Sequence, residues 1–268
     1  MKVSFDTAFN TANFAFRQVG YRATGDWGQA CRTSREHFSD PDTFEARFDE
    51  MLGEVDALGF RELELWHFHL HQKWWTQRHV EIALRIAARR EMRFVAYCGG
   101  FGDDLAEVER TLSLANALGL DLLAGASPVF FRQRAEFVAR LRHHGVRFAY
   151  ENHPEKTPAE LLERIGEDDA NVVGVTVDTG WFGTQNYPAN EALREVEGRL
   201  LHVHLKDVFE VGRHDTCGFG KGVVPIRACL DTLRDVGFSG FVSVEHEPDQ
   251  FDPTPDLREA RTWLGANP

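Results

Sequence analysis

Two hydrophobic periods alternate along this chain. Short apolar runs at 61–66, 92–97, 121–124, 146–151, 172–177, 200–206 and 240–245 have the length and the Val, Leu and Phe content of buried strands. Between them, apolar residues recur at intervals of three and four, the mark of a helix with one buried face. In 40–58 the stripe is Phe44, Phe48, Met51, Leu52, Val55 and Leu58, opened by Asp40 as N-cap with Pro41 at the first helical position and closed by Gly59. Further helices are expected over 76–90, 103–118, 130–143, 158–165, 189–196, 225–236 and 254–264. A short strand at 3–6 completes eight strands alternating with eight helices. That order predicts an α/β protein of parallel βαβ units, and eight units in 268 residues close most economically into a single (β/α)8 TIM barrel. No linker divides the chain, so one domain is expected over 1–268. The stretch 7–40 has no sustained period but carries Phe14, Phe16, Tyr21 and Trp27; it reads as a long folded loop between the first strand and first helix, a lid or a packed insertion.

Composition narrows the partners. Thirty Lys and Arg against 42 Asp and Glu give a formal net charge of −12, with no basic stripe, which disfavours a nucleic acid. No apolar run is long enough for a signal peptide or a membrane span. The cysteines, Cys31, Cys98, Cys217 and Cys229, are far apart and lack Cys-x-x-Cys spacing, as in a reduced cytoplasmic protein. No Gly-x-Gly-x-x-Gly follows the first strand and no Walker-type loop is present, so the open nucleotide-binding sheets lose their signature.

The chemistry gathers at the strand ends, where barrels of this kind place their functional groups. In 200–206, Leu201, Val203 and Leu205 are expected on one face and His202, His204 and Lys206 on the other. The other strands end on Glu62 and Glu64 with His67, His69 and His71; on Glu151, Asn152 and His153; on Asp178; and on Glu245, His246 and Glu247. Each has a plain alternative: Asp178 capping the next turn, His204 as a hydrogen-bonded core histidine, either glutamate simply solvated. Together they pack carboxylates and histidines at one mouth, and a divalent cation is the economical way to hold them there. Such a mixed oxygen and nitrogen set suits Mn²⁺ or Mg²⁺ and tolerates Co²⁺ or Zn²⁺.

Several motifs now coincide: Tyr150-Glu151-Asn152-His153, Val177-Asp178-Thr179-Gly180, His202-Val203-His204-Leu205-Lys206-Asp207, Gly218-Phe219-Gly220-Lys221-Gly222 and Ser243-Val244-Glu245-His246-Glu247. With them the chain resembles the sugar phosphate isomerase/epimerase family of the xylose isomerase-like TIM-barrel superfamily. It is similar to ketose 3-epimerases and inosose dehydratases and, more remotely, to endonuclease IV-type AP endonucleases. The resemblance implies one divalent metal, Mn²⁺ foremost, held by Glu151, Asp178, His204 and Glu245, with His202 deeper in the barrel. It implies that Glu151 and Glu245 also exchange protons with a sugar or cyclitol ketone through an enediolate. Glu64, His69, His153, Trp181, Lys206 and Arg213 are candidate substrate contacts; for Lys206 a salt bridge to Asp207 or Glu247 is the alternative, and Arg213 and His214 are also readable as exposed. A dehydratase or a deglycosidase-type lyase would use the same first proton transfer. A non-catalytic sugar-binding subunit would not need the intact ligand set. The AP endonucleases carry a histidine where Trp181 stands and an aspartate where Gly212 stands, so two ligands of their metal cluster are missing. No glycine-rich phosphate loop is present, and aromatics near the mouth fit a homodimer.

Overall fold

The computed structural model describes residues 5–22 and 26–266. Its strands are β1 (Asp6–Asn10), β2 (Glu62–Trp66), β3 (Arg93–Gly100), β4 (Leu122–Ala126), β5 (Arg147–Glu151), β6 (Val173–Asp178) and β7 (Leu200–Leu205); then a small antiparallel ribbon, β8 (Asp207–Val208) with β9 (Thr216–Cys217); and finally β10 (Phe241–Val244). β1 to β7 pair in chain order, and β10 closes the parallel barrel between β7 and β1. The helices are α1 (Trp27–Phe38), α2 (Pro41–Ala57), α3 (Gln77–Arg89), α4 (Leu105–Ala117), α5 (Pro128–Arg132), α6 (Arg134–His144), α7 (Pro158–Ile165), α8 (Thr179–Thr184), α9 (Ala189–Glu195), α10 (Ile226–Asp235) and α11 (Thr254–Ala266).

The periodic stripes do the packing. α2 buries Phe44, Phe48, Met51, Leu52 and Val55, and the Asp40 carboxylate accepts a hydrogen bond from the Asp42 N–H at its start. Each such side chain contributes about 1.5–3 kcal/mol when fully buried, so Phe48→Ala would cost about 3–5 kcal/mol.

Four differences from the sequence reading have physical causes. The first strand runs to Asn10, within the stretch expected to be loop; Val3 and Ser4 lie outside the described residues. Thr7-Ala8-Phe9-Asn10 is held by β2 on one side and β10 on the other, so tertiary pairing rather than alternation makes it a strand. The same stretch contains α1, whose buried stripe is only Ala30, Ser34 and Phe38, one large apolar residue in three turns. The helix expected over 130–143 is two, α5 and α6, broken at Gln133. Finally, Leu201 does not share its surroundings with Val203 and Leu205. β6 pairs Val175 with Leu200 and Thr176 with His202, leaving Leu201 as the extra residue of a bulge. It packs against Ala96, Leu122 and Ala149, while Val203 and Leu205 belong to the main core.

Candidate metal centre

The C-terminal ends of β5, β6, β7 and β10 converge. Glu151 ends β5, Asp178 ends β6, His204 stands one residue before the end of β7, and Glu245 directly follows β10. The two ring nitrogens of His204, itself buried, face different groups. Nδ1 lies 2.7 Å from Glu151 Oε1 and 3.2 Å from Glu245 Oε2; Nε2 lies 3.0 Å from Glu64 Oε1. Glu64 is fully buried and also 3.1 Å from His202 Nε2, which in turn is 3.1 Å from Ser243 Oγ. Donor atoms of Glu151, His204 and Glu245 all lie within 4.8 Å of one another. Asp178 joins them through Lys206, whose Nζ is 3.0 Å from Asp178 Oδ2, 3.1 Å from Glu245 Oε2 and 2.6 Å from Glu247 Oε1.

The arrangement fits a cation. With the Nε2 proton of His204 donated to Glu64, the Nδ1 lone pair of a neutral ring points toward Glu151 and Glu245, the way a carboxylate commonly sets a metal-binding tautomer. Glu245 Oε1 accepts from Asn10 Nδ2 at 3.0 Å. Its Oε2 is buried and makes no hydrogen bond, although two nitrogens stand close by. A buried carboxylate oxygen left so is costly, and an ion among these donors would satisfy it. The set of carboxylate oxygens and one imidazole can hold a divalent cation.

Electrostatics agree. Burial works against a charged His204, but Glu245, Glu64 and Glu151 outweigh it and hold the ring well above its ordinary pKa. Lys206 is likewise held up by Asp178, Glu245 and Glu247 against its burial. Glu247, buried and close to Glu245, is pushed up to about 7 in spite of Lys206. The carboxylates thus favour positive charge among them.

Of the other sequence candidates, the structure brings four to the rim of this cluster or into it. Lys206 is at its heart, and its stem passes so close to α8 that a Cβ on Gly180 would lie 2.6 Å from Lys206 Cγ. Lys206 pairs with Glu247 and not with Asp207, whose carboxylate instead accepts the N–H groups of Val208, Gly220, Gly222 and Val224 and so shapes the glycine-rich loop. His153 lies 3.4 Å from Asp178 Oδ2 and 3.7 Å from Glu151 Oε2; those two carboxylates overcome burial and raise it to about 10. Trp181 packs edge-on against His153, with ring centroids 4.6 Å apart, and its Nε1 donates to Glu155 O. Arg213 stands further out, ion-paired with Glu210 and Asp215. Glu64 lies beneath His204, enclosed by protein. His69 packs against Phe38 and Trp66 and lines a separate cavity of about 180 Å³ with Phe14 and Arg17.

Sequence reasoning missed the residues that hold these candidate ligands in place. Besides Asn10, these are Asn152, which bonds both the N–H and the carbonyl of Asp178, and Asn13, which grips Val244 O and the His246 N–H. Asn152 was visible as the middle of Glu-Asn-His; Asn10 and Asn13 gave no local signal. Also missed was a cavity of about 520 Å³ beside the cluster, whose lining includes Phe16, Trp27, Phe209, Phe251, Arg213 and Glu247.

A parallel eightfold barrel with this carboxylate and histidine cluster at its strand ends defines a class, and comparison with known proteins agrees. The chain belongs to the Xylose isomerase-like TIM barrel family, whose sequence pattern matches residues 52–266. An uncharacterised protein of Methanocaldococcus jannaschii is 27% identical over 132 residues, 44% of this chain and 42% of that protein. An L-ribulose-5-phosphate 3-epimerase of Escherichia coli is 33% identical over 70 residues, 26% of this chain and 24% of the epimerase. The similarity therefore spans less than half the length of either relative. Among solved structures, a xylose isomerase-like TIM barrel protein of Mycobacterium smegmatis in complex with magnesium has a TM-score of 0.67 at 16% identity, covering 97% of this chain and 95% of that one, which is a likeness of fold. No helix among the described residues is long and apolar enough to cross a membrane.

Proposed function

We propose that this chain is a divalent-metal-dependent sugar isomerase/epimerase acting on a ketose or a related cyclitol ketone. The observation that carries the reading is the pair of carboxylates, Glu151 and Glu245, brought from β5 and β10 to the same nitrogen of His204. A divalent ion held by Glu151, Asp178, His204 and Glu245, with Mn²⁺ preferred and Mg²⁺, Co²⁺ or Zn²⁺ compatible, supplies Lewis acidity toward a carbonyl and its neighbouring hydroxyl.

The remaining work falls to the protein. Glu151 takes the proton from the carbon next to the carbonyl, and Glu245 returns one, which gives an enediolate between two proton transfers. Glu64 keeps the His204 ring from turning. Lys206 balances the carboxylates and lies where it can hold a substrate oxygen that gains negative charge. His153 and Trp181 form one wall. The likeness to the E. coli epimerase and to the magnesium-containing M. smegmatis barrel supports this reading.

The test is elemental analysis of the purified protein beside Glu151→Gln and His204→Ala, coupled to a solvent-deuterium exchange assay across ketoses and inososes with Mn²⁺ present. About one metal per chain, lost in the variants, with deuterium entering a sugar carbon only in the wild type, is the expected result. Wild-type protein that retains no metal after Mn²⁺ addition sinks the reading.

A further inference from the structure

The cavity beside the metal centre is furnished for more than a bare sugar. Among the described residues seven large apolar side chains are exposed, and of the four aromatic ones Trp27, Phe209 and Phe251 line this one cavity, whereas Phe131 does not. Phe16, buried, extends the same wall, packed edge-on against Trp27 with centroids 4.9 Å apart. Three aromatic rings left partly exposed on one rim mark a surface that a ligand covers.

The charges lining the cavity say which ligand. Glu210, Asp215, Glu247 and Asp249 all border it. The guanidinium there, Arg213, is already paired with Glu210 and Asp215. A phosphate or carboxylate on the substrate would meet carboxylates and no unpaired cation from this lining. An uncharged, flat, apolar group would meet rings.

We infer that the substrate is an uncharged glycoside whose sugar ring reaches Glu151 and Glu245 while an aromatic aglycone seats among Phe16, Trp27, Phe209 and Phe251. This rests on the isomerase/epimerase reading above. A glycoside's anomeric carbon is locked as an acetal, so the carbonyl that acidifies the neighbouring C–H must come from a ring hydroxyl oxidised beforehand. The substrate class is therefore a keto-glycoside, supplied by an oxidoreductase acting on a glycoside. The step itself is redox-neutral: one C–H bond breaks with its proton passing to Glu151, and one C–H bond forms with a proton from Glu245.

The test follows deuterium incorporation in the Mn²⁺-loaded full chain with four probes: the phenyl and methyl glycosides of one hexopyranose in which the same ring hydroxyl has been oxidised to a ketone, a free ketohexose, and a ketose phosphate. The phenyl glycoside should exceed the methyl one by about tenfold in kcat/KM, and that ratio should collapse in Trp27→Ala and in Phe209→Ala and return in Trp27→Phe. Equal rates for phenyl and methyl, or a preference for the phosphate, overturn the inference and leave the isomerase/epimerase reading standing. Exchange into none of the four overturns both. If the alanine variants change sedimentation rather than the phenyl-to-methyl ratio, the aromatic rim is a self-association surface and the inference fails.

Discussion

His204 and His69 are equally hidden from solvent, 2% and 1% exposed, yet their environments drive them in opposite directions. His204 stands among Glu245, Glu64 and Glu151, which raise its pKa against its burial when no cation lies among them. His69 packs against Phe38 and Trp66; burial, helped by His37 and Arg17, pushes it down to about 3. His67 and His71, on the same loop after β2, are lowered by burial too, to about 3 and about 4. Depth alone does not set a histidine's pKa; the carboxylates beside it do, and around His204 they come from the strand ends.

Predictions that sharpen this contrast run from large to small. His204→Ala should abolish metal retention and exchange activity together, read by elemental analysis and by deuterium incorporation, whereas His69→Leu should leave one metal per chain. Lys206→Met removes the ammonium from among three carboxylates and should cost about 3–5 kcal/mol in denaturant unfolding of the metal-free protein, with part of that loss recovered on adding Mn²⁺. A loss of under 1 kcal/mol would show that Lys206 does not hold the cluster together. Glu64→Gln leaves the ligands intact but loosens the ring that bears Nδ1, and should weaken metal binding about 10–100-fold by competition with a chelator.

The smallest effect is a pH dependence. The folded pKa values of His67, His69 and His71 lie below the ordinary 6.5, so the unfolded chain binds more protons once the pH falls under that value. Their stabilising contribution is therefore complete above pH 6.5 and shrinks as the pH drops toward 4 and 3. His69→Leu should flatten the slope of stability against pH in that window by up to about 1.4 kcal/mol per pH unit. An unchanged slope would mean that His69 is not buried as a neutral ring.

How much of this was legible in the sequence depended on where the information lies. Strands such as 146–151 and 172–177 are continuous apolar runs because both faces are buried, and they stand out without any partner in view. Glu151, Asp178 and Glu245 stood out because each is the polar residue on which such a run stops, and His204 because it is a polar residue inside the run 200–206; that the four act together was implied by the family resemblance. The extent of β1 beyond Asp6 was not legible, because Thr7-Ala8-Phe9-Asn10 owes its conformation to β2 and β10, far away in sequence. α1 hid behind a stripe with one large apolar side chain. The aromatic cavity was harder still, since Phe16, Trp27, Phe209 and Phe251 come from distant segments that only the closed barrel brings to one rim.

That closure happens at a seam. Asn10 and Asn13, from the first strand and the turn after it, hold Glu245 and the backbone on either side of it, just past the last strand. During synthesis the first seven barrel strands emerge from the ribosome with this pair of asparagines still waiting for a partner. A nascent chain at that stage holds Glu151, Asp178 and His204 but lacks Glu245, so the carboxylate and histidine cluster is incomplete. Only the docking of the final strand brings its last member into place, and synthesis of the barrel ends where its candidate site is finished.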